Sequence, residues 1–163
     1  MVNVCGPWAK ILIEDSELRN EYSLSLVKGS HIFIDPFLAN PLVIQIPEDG
    51  RIVFALHYDG RTPIGTTELK RGIYDQINCS EQELMYLINA VSSVFAEKLK
   101  TNQVTEVYAG VRPIVSTEQK VEALSKANRE SSIETMGDLT NVFGGKWTSA
   151  MRLENTVSEK FFK

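Results

Sequence analysis

LVIQIPEDGRIVFALHYDGRTPIGTTE, residues 42–68, is the stretch that decides the fold. Segments rich in Ile, Val, Leu and Phe alternate there with two turn sequences, Glu48-Asp49-Gly50 and Asp59-Gly60. Because Gly adopts positive φ at little cost, an Asp-Gly pair between apolar segments is typical of a β-hairpin. Successive hairpins pair their strands antiparallel. The stretch therefore predicts an antiparallel sheet with strands over 42–47, 51–58 and 62–68.

The flanking sequence adds strands first and helices later. Ser80-Glu81-Gln82-Glu83 is a capping box, and the apolar residues behind it recur at helical spacing, which predicts a helix that runs to about Leu99. The remaining predicted elements are strands over 2–5, 23–27, 31–35 and 105–115, a hairpin over 133–143, and helices over 8–17 and 147–161, with a turn at Lys28-Gly29. This order without regular βαβ alternation predicts an α+β fold, mainly an antiparallel β-sheet with flanking helices, in one domain over 1–163.

Composition narrows the function classes. The chain has 163 residues, of which 43% are hydrophobic and 23% are charged, as in an ordinary folded domain. The net charge of -4 argues against a broad nucleic-acid surface. The two cysteines, Cys5 and Cys79, form no CxxC pair and indicate reduced thiols in a cytosolic protein. With only two histidines in addition, the sequence predicts no metal site.

Two short motifs carry candidate catalytic side chains. His31 follows a loop-type Gly in Lys28-Gly29-Ser30-His31, where it can be aimed into a cleft, although a His beside a turn is more often an ordinary surface or core residue. Arg112 lies between Gly110 and Pro113 on an apolar segment, where its planar fork of donors suits a phosphate. A structural ion pair on an edge strand explains Arg112 equally well.

Two further features suggest a site for an anion. Gly144-Gly145-Lys146-Trp147-Thr148 enters the last helix, and paired glycines there expose backbone N–H groups beside a cation and a hydroxyl. The spacing is not that of a P-loop, and a plain Gly-rich turn is the alternative. Arg129 is an isolated charge in a polar segment, for which a solvated loop residue is the simplest interpretation.

The order of these motifs is more specific than any one of them. Along the chain they are Gly6-Pro7-Trp8, Lys28 to His31, Gly50-Arg51 with Gly65-Thr66-Thr67, Gly110 to Pro113, Arg129, and Gly144 to Thr148. This ordered set resembles the FAD-dependent glycerol-3-phosphate dehydrogenases over nearly the whole chain. The resemblance implies the substrate domain of a flavoprotein like glutathione reductase and D-amino-acid oxidase over 21–138, with parts of the FAD-binding domain over 1–20 and 139–163.

The resemblance also implies roles for individual residues. In that family a flavin accepts a hydride from C2 of sn-glycerol 3-phosphate, and the protein supplies position, charge and a base. By resemblance, His31 and Arg112 are catalytic, with His31 as the base and Arg112 beside the developing oxyanion, or with these roles exchanged. Arg129, Lys146 and Thr148 bind the substrate phosphate. The resemblance likewise implies that FAD is the cofactor and that it is contacted by Gly6, Pro7, Trp8, Gly144, Gly145 and Lys146.

One departure from the family changes the expected function. The family binds FAD through a βαβ unit with a GxGxxG motif, and these 163 residues contain no such motif. We therefore expect a truncated dehydrogenase that is inactive and binds no FAD by itself. The alternatives are one subunit of a split enzyme, completed by a separate GxGxxG polypeptide, and a non-catalytic relic that binds phosphate or a protein.

Three expectations concern the surroundings of the chain. The apolar surface left by a missing flavin segment favours a homodimer. The chain is expected in the cytoplasm, with a peripheral position at the inner face of the membrane as the alternative, since members of the family resembled are often peripheral membrane proteins. Glycerol 3-phosphate is the expected small-molecule ligand, and no nucleic acid is expected.

Overall fold

The structure is a computed structural model, and it describes residues 1–18, 22–35, 38–117 and 131–161. Its contacts divide the chain into two compact units. The first unit is formed by Met1–Val27, Arg71–Ile73 and Arg112–Lys163, and the second unit by Lys28–Lys70 and Tyr74–Val111. The predicted assignment of 1–20 and 139–163 to an FAD-binding domain, and of 21–138 to a substrate domain, stays a prediction.

The elements follow one another along the chain as strands, a helix, strands and a last helix. In chain order they are β1 (Val2–Asn3), a 3-10 turn (Gly6–Trp8), α1 (Ala9–Asp15), β2 (Tyr22–Ile34), β3 (Leu42–Gln45), β4 (Ile52–Ala55), β5 (Thr62–Gly65), β6 (Leu69–Arg71), α2 (Glu81–Ser92), a 3-10 turn (Thr101–Gln103), β7 (Val104–Thr117), β8 (Ser132–Met136), β9 (Leu139–Phe143), a 3-10 turn (Trp147–Ser149) and α3 (Ala150–Phe161). Most strand pairs are antiparallel, which confirms the predicted fold class.

The larger sheet has the strand order β3-β4-β5-β2-β6, and β7 also pairs with β2. Its hairpins form where the sequence predicts them. Asp59 and Gly60 both have positive φ, and Tyr58 and Arg61 exchange backbone hydrogen bonds of 3.0 and 2.9 Å across them. Such a turn matches the right-handed twist of the strands that it joins. The predicted two-residue hairpin between β4 and β5 is therefore confirmed.

The second unit buries one face of this sheet against α2. Its core combines Ile32 and Ile34 of β2 with Val53 and Ala55 of β4 and with the apolar face of α2, including Leu87. Because side chains alternate along a strand, the residues between them point to the opposite face of the sheet. That opposite face carries His31.

The first unit contains a small three-stranded sheet of order β1-β9-β8. The strands β8 and β9 form the predicted antiparallel hairpin around Gly137, whereas β1 pairs with β9 in parallel. A second core packs Ala9 and Ile13 of α1 against Phe143 of β9. The side chain of Asn3 donates hydrogen bonds to Asn141 Oδ1 at 2.7 Å and to Ala9 O at 3.2 Å, so it fixes the entry into the 3-10 turn.

Two details of the predicted elements are wrong. The predicted turn at Lys28-Gly29 does not exist, because β2 runs unbroken from Tyr22 to Ile34. The helix expected to reach Leu99 ends at Ser92. Its end is fixed by serine hydroxyls that bond to the backbone: Ser93 Oγ donates to Ala90 O at 2.7 Å, and Ser92 Oγ accepts from Leu99 N at 3.0 Å.

The last helix is amphipathic but largely exposed. Leu153 and Val157 on its apolar face are half-buried, and α3 has no fully buried residue. In the described parts of the chain, none of the helices has the length and hydropathy that crossing a bilayer requires.

Candidate functional site

The His31 side chain lies in a narrow space on the second unit, bounded by Gly65 and Tyr108, which we call the His31 seat. Its ring stacks on Tyr108 of β7 with centroids 4.7 Å apart and an angle of 2° between the planes. On the neighbouring strand, Gly65 is the register partner of His31. A Cβ atom at Gly65 would lie 2.6 Å from Cγ and 2.7 Å from Nε2 of the His31 ring. The imidazole therefore occupies space that only a glycine at position 65 leaves open.

A row of aromatic and charged side chains extends from this seat. The ring of Phe33, two residues along β2, lies 5.9 Å from that of Tyr108. The guanidinium of Arg61 lies 4.4 Å from the Phe33 ring and donates a 2.6 Å hydrogen bond to Glu106. Cation–π contact and the ion pair hold Arg61 in place on this face. Tyr108 is 46% exposed, so the row is open to a ligand from solvent.

A buried ion pair joins Lys28, three residues before His31 on β2, to Glu83 of α2. Lys28 is 1% exposed, and its Nζ donates to Glu83 Oε2 and to Asn78 O, each at 2.5 Å. Burial raises the pKa of the Glu83 carboxyl, but hydrogen bonds from Lys28, the Ser80 backbone N–H and the Thr67 hydroxyl, with another from Ser30, outweigh it and lower the pKa to about 2. The capping box was predicted from sequence, whereas the buried lysine was not.

Arg112, the second predicted catalytic residue, lies on β7 and is half-buried. It belongs to the first unit, whereas His31 belongs to the second. Their joint contact with one substrate stays a prediction.

Lys146 of the Gly-Gly-Lys segment lines a cavity of about 460 Å³ in the first unit. Gly144 and Gly145 have φ of +65° and +100°, and Lys146 precedes the 3-10 turn into α3. The cavity is lined by two cations, three hydroxyl side chains and two apolar residues: Lys146, Arg152, Ser131, Ser149, Thr156, Ile133 and Leu153. Because its described lining contains two cations and no carboxylate, the cavity favours an anion.

Three predicted phosphate ligands have different outcomes in the structure. Lys146 lines the cavity, whereas Thr148 is exposed and is not among the lining residues. Arg129 lies outside the described residues. Sequence analysis missed Arg152, because a basic residue on an exposed helix face is ordinary until the neighbouring hydroxyl groups are known.

In the Gly6-Pro7-Trp8 segment, a ligand could come close to the backbone. Gly6 has a φ of +55°, and no atom lies within 4 Å of the place where its Cβ would be. Pro7 starts a 3-10 turn, and the Trp8 side chain is 59% exposed. Gly6 therefore offers open backbone to a ligand, whereas the Cβ position of Gly145 already lies 3.5 Å from Leu153 and 3.7 Å from Ser131. The contact of this segment and of the paired glycines with FAD stays a prediction.

The described residues contain neither a disulfide bond nor a cluster of metal ligands. Cys5 and Cys79 are free thiols, of which Cys5 is exposed and Cys79 is half-buried. Within residues 1–18, 22–35, 38–117 and 131–161, no three His, Cys, Asp or Glu side chains are grouped as metal ligands.

Comparison with known proteins agrees with the resemblance found in the sequence. The profile of the family described as FAD dependent oxidoreductase (DAO) matches residues 1–143. A glycerol-3-phosphate dehydrogenase from Pseudomonas aeruginosa is 34% identical over 96% of this chain and 32% of its own length. A D-erythritol 1-phosphate dehydrogenase from Brucella abortus is 33% identical over 94% of this chain and 32% of its own length.

A solved structure supports the same fold. The glycerol-3-phosphate dehydrogenase from Bacillus halodurans, complexed with FAD, superposes with a TM-score of 0.79 and 26% identity, over 98% of this chain and 32% of that one. The chain thus spans about a third of the length of the relatives that it matches.

Proposed function

Because the chain belongs to the family of FAD-dependent oxidoreductases, we propose that it forms the substrate side of a glycerol-3-phosphate dehydrogenase. The observation that carries this proposal is the His31 seat, in which Gly65 and Tyr108 hold an imidazole on an open sheet face. Oxidation of an alcohol to a ketone needs a base for the hydroxyl proton, and imidazole is suited to that task near neutral pH.

The two predicted catalytic residues have different proposed roles at the C2 hydroxyl group. His31 takes the proton from the C2 hydroxyl, while the Arg112 guanidinium stabilises the negative charge that develops on that oxygen. The exchange of these two roles is the alternative. When bound, the flavin supplies the acceptor for the hydride that leaves C2.

The phosphate of the substrate is assigned to the cationic cavity of the first unit. Lys146 lines that cavity, and Thr148 and Arg129 are the further predicted ligands. Charge-assisted hydrogen bonds from such residues to a phosphate are stronger than neutral ones, so they hold the three-carbon chain by one end.

The residues of this chain suit contact with only part of the flavin cofactor. Gly6 presents open backbone, and Gly144 and Gly145 are exposed glycines with positive φ, which suits an edge of the cofactor. The GxGxxG motif that would hold the pyrophosphate is absent from the 163 residues. The proposed dehydrogenase is therefore truncated and lacks a site for the nucleotide half of FAD, or a separate GxGxxG polypeptide supplies that site. By itself, the chain is expected to be inactive.

The substrate class is a polyol phosphate. Relatives named for glycerol 3-phosphate and for D-erythritol 1-phosphate match this chain about equally well. Glycerol 3-phosphate is our first choice because the FAD-containing structure with a TM-score of 0.79 carries that name. A cytoplasmic location, with or without peripheral attachment to a membrane, also comes from the resemblance alone.

Binding calorimetry with the purified chain tests the substrate proposal. Glycerol 3-phosphate should bind, and both Arg112→Ala and Lys146→Ala should weaken it about 10- to 100-fold, the cost of one lost charged hydrogen bond. Lys160→Ala, at the far end of α3, is the matched control and should bind normally. Stronger binding of D-erythritol 1-phosphate would reassign the substrate. Equal binding by all three variants would reject the site, and a wild-type chain that binds neither ester would favour a non-catalytic relic.

A further inference from the structure

The buried polar network of the second unit converges on one carboxylate. Glu83 Oε2 accepts from Lys28 Nζ at 2.5 Å, from Ser80 N at 3.0 Å and from Ser80 Oγ at 2.8 Å. Glu83 Oε1 accepts from Ser30 Oγ at 2.8 Å and from Thr67 Oγ1 at 2.7 Å. Five donors from three separate chain segments therefore meet at the two oxygens of Glu83.

Stability alone is a poor explanation for this arrangement. Lys28 and Glu83 are 1% and 4% exposed, so both charges have lost their hydration. A buried ion pair often stabilises a fold no better than apolar residues of similar volume, because desolvation offsets the attraction. What such a pair supplies best is one fixed geometry, since its hydrogen bonds are satisfied in one arrangement of the three segments.

The segments that it fixes are those that form the His31 seat. Ser30 directly precedes His31, and Thr67 follows Gly65 by two residues. The backbone of Ser30 also bonds to Thr67, with Ser30 N donating to Thr67 Oγ1 at 2.9 Å and Thr67 N donating to Ser30 O at 3.3 Å. The carboxylate of Glu83 thus joins the two strands at the step beside the His31–Gly65 pair.

We propose that Lys28 and Glu83 are positioning residues that hold the His31 imidazole against Gly65 and Tyr108. The pair touches no substrate and acts through Ser30 and Thr67, which set where β2 and the segment after β5 meet. Without the pair, the two strands lose their common anchor, and the imidazole leaves the stack on Tyr108. The proposal rests on the proposed role of His31 as the base.

The imidazole NMR signals of the chain give a direct test. The chain has two histidines, and His57 is exposed, so it serves as an internal control. In the wild type, stacking on Tyr108 should shift the ring protons of His31 upfield, and Tyr108→Leu should remove that shift. Glu83→Gln and the apolar pair Lys28→Met with Glu83→Leu should also remove it while the His57 signals stay in place. Lys28→Arg, which keeps the charge, should retain most of it.

The outcomes separate positioning from simple stabilisation. The result that supports the proposal is a folded variant, with dispersed amide signals, in which the upfield shift of His31 is lost. Unchanged His31 signals in a folded Glu83→Gln or apolar-pair variant would overturn it. Thr67→Val removes one hydroxyl at nearly constant volume and covers the case in which the charge variants do not fold. Unfolding of all three would also overturn the proposal, because the network would then maintain the fold itself.

This test is independent of the dehydrogenase proposal. The NMR signals report the geometry of an imidazole whatever the chain binds. A chain that fails to bind glycerol 3-phosphate but loses the His31 shift in Glu83→Gln would retain the positioning pair and lose the proposed substrate.

Discussion

At the scale of single residues, Gly65 decides whether His31 can occupy its seat. A methyl group at position 65 would overlap the imidazole ring, so the ring has to move. We expect Gly65→Ala to lower the free energy of unfolding by about 1–3 kcal/mol, as overpacking does in a filled site. Gly110→Ala is the control, because no atom lies within 4 Å of its Cβ position. Urea unfolding of both variants measures the difference, and equal stabilities would contradict the seat.

Glu83 makes stability depend on pH in a defined window. The pKa of its carboxyl is lowered from 4.5 to about 2 in the folded chain. A lowered pKa means that the ionised form is favoured by folding, so its contribution is present above pH 4.5 and is lost as the pH falls toward 2. A shift of this size corresponds to on the order of 3 kcal/mol.

Glu83→Gln removes this titration, and its unfolding free energy should therefore change less between pH 6 and pH 3 than that of the wild type. Glu97→Gln, at an exposed position of the same unit, should keep the pH dependence of the wild type. Urea unfolding at the two pH values is the measurement. Parallel pH profiles for wild type and Glu83→Gln would rule out the assigned pKa.

At the scale of elements, the capping box of α2 has two functions. The Ser80 side chain caps the helix through Glu83 N and also donates to the Glu83 carboxylate. We expect Ser80→Ala to cost roughly 1–2 kcal/mol, the upper part of the range for an N-cap. Ser158→Ala on the exposed face of α3 should be nearly neutral. Thermal unfolding of the two variants distinguishes them, and a Ser80→Ala variant as stable as Ser158→Ala would show that the cap is dispensable.

Local chemistry made most of these elements predictable. The Asp59-Gly60 turn, the hairpin around Gly137 and the Ser80 to Glu83 box each depend on a few adjacent residues, and all three are observed. The buried Lys28 was not predictable, because its partner Glu83 is 55 residues away and a lysine beside a glycine is typical of a turn.

The candidate site also contains residues that were predictable from the sequence and residues that were not. His31, Arg112 and Lys146 were proposed from short motifs, because each lies within two residues of a glycine or proline. Gly65 and Tyr108 were not connected with His31, since strand register brings them to it. Register depends on the pairing of distant segments and is not written in any one of them.

At the scale of the whole molecule, the described part of the chain exposes several large apolar side chains. In the first unit, Trp147 is 95% exposed, Met151 81% and Val4 69%. We expect the chain to self-associate, because large exposed apolar side chains favour interfaces. Trp147→Ser with Met151→Ser should shift the molar mass measured by light scattering toward the monomer. Thr156→Ala, a polar exposed position on the same helix, should leave the mass unchanged. A monomeric wild type would contradict this expectation.

Flavin binding is the second property that belongs to the whole molecule. Because the GxGxxG motif is absent, the purified chain should be colourless, and added FAD should be removed by gel filtration. A visible spectrum before and after that step is the measurement. A retained flavin absorbance band would show that these 163 residues suffice to bind the cofactor.

The central proposal is that His31 and Lys146 act on the same polyol phosphate, and NMR titration with glycerol 3-phosphate tests it most directly. The account predicts that the signals of both residues change along one saturation curve, that His57 stays unchanged, and that Lys146→Ala moves the response of His31 to about 10- to 100-fold higher ligand concentration. Independent saturation curves for the two residues, or a His31 that does not respond while Lys146 binds the ester, would contradict the account.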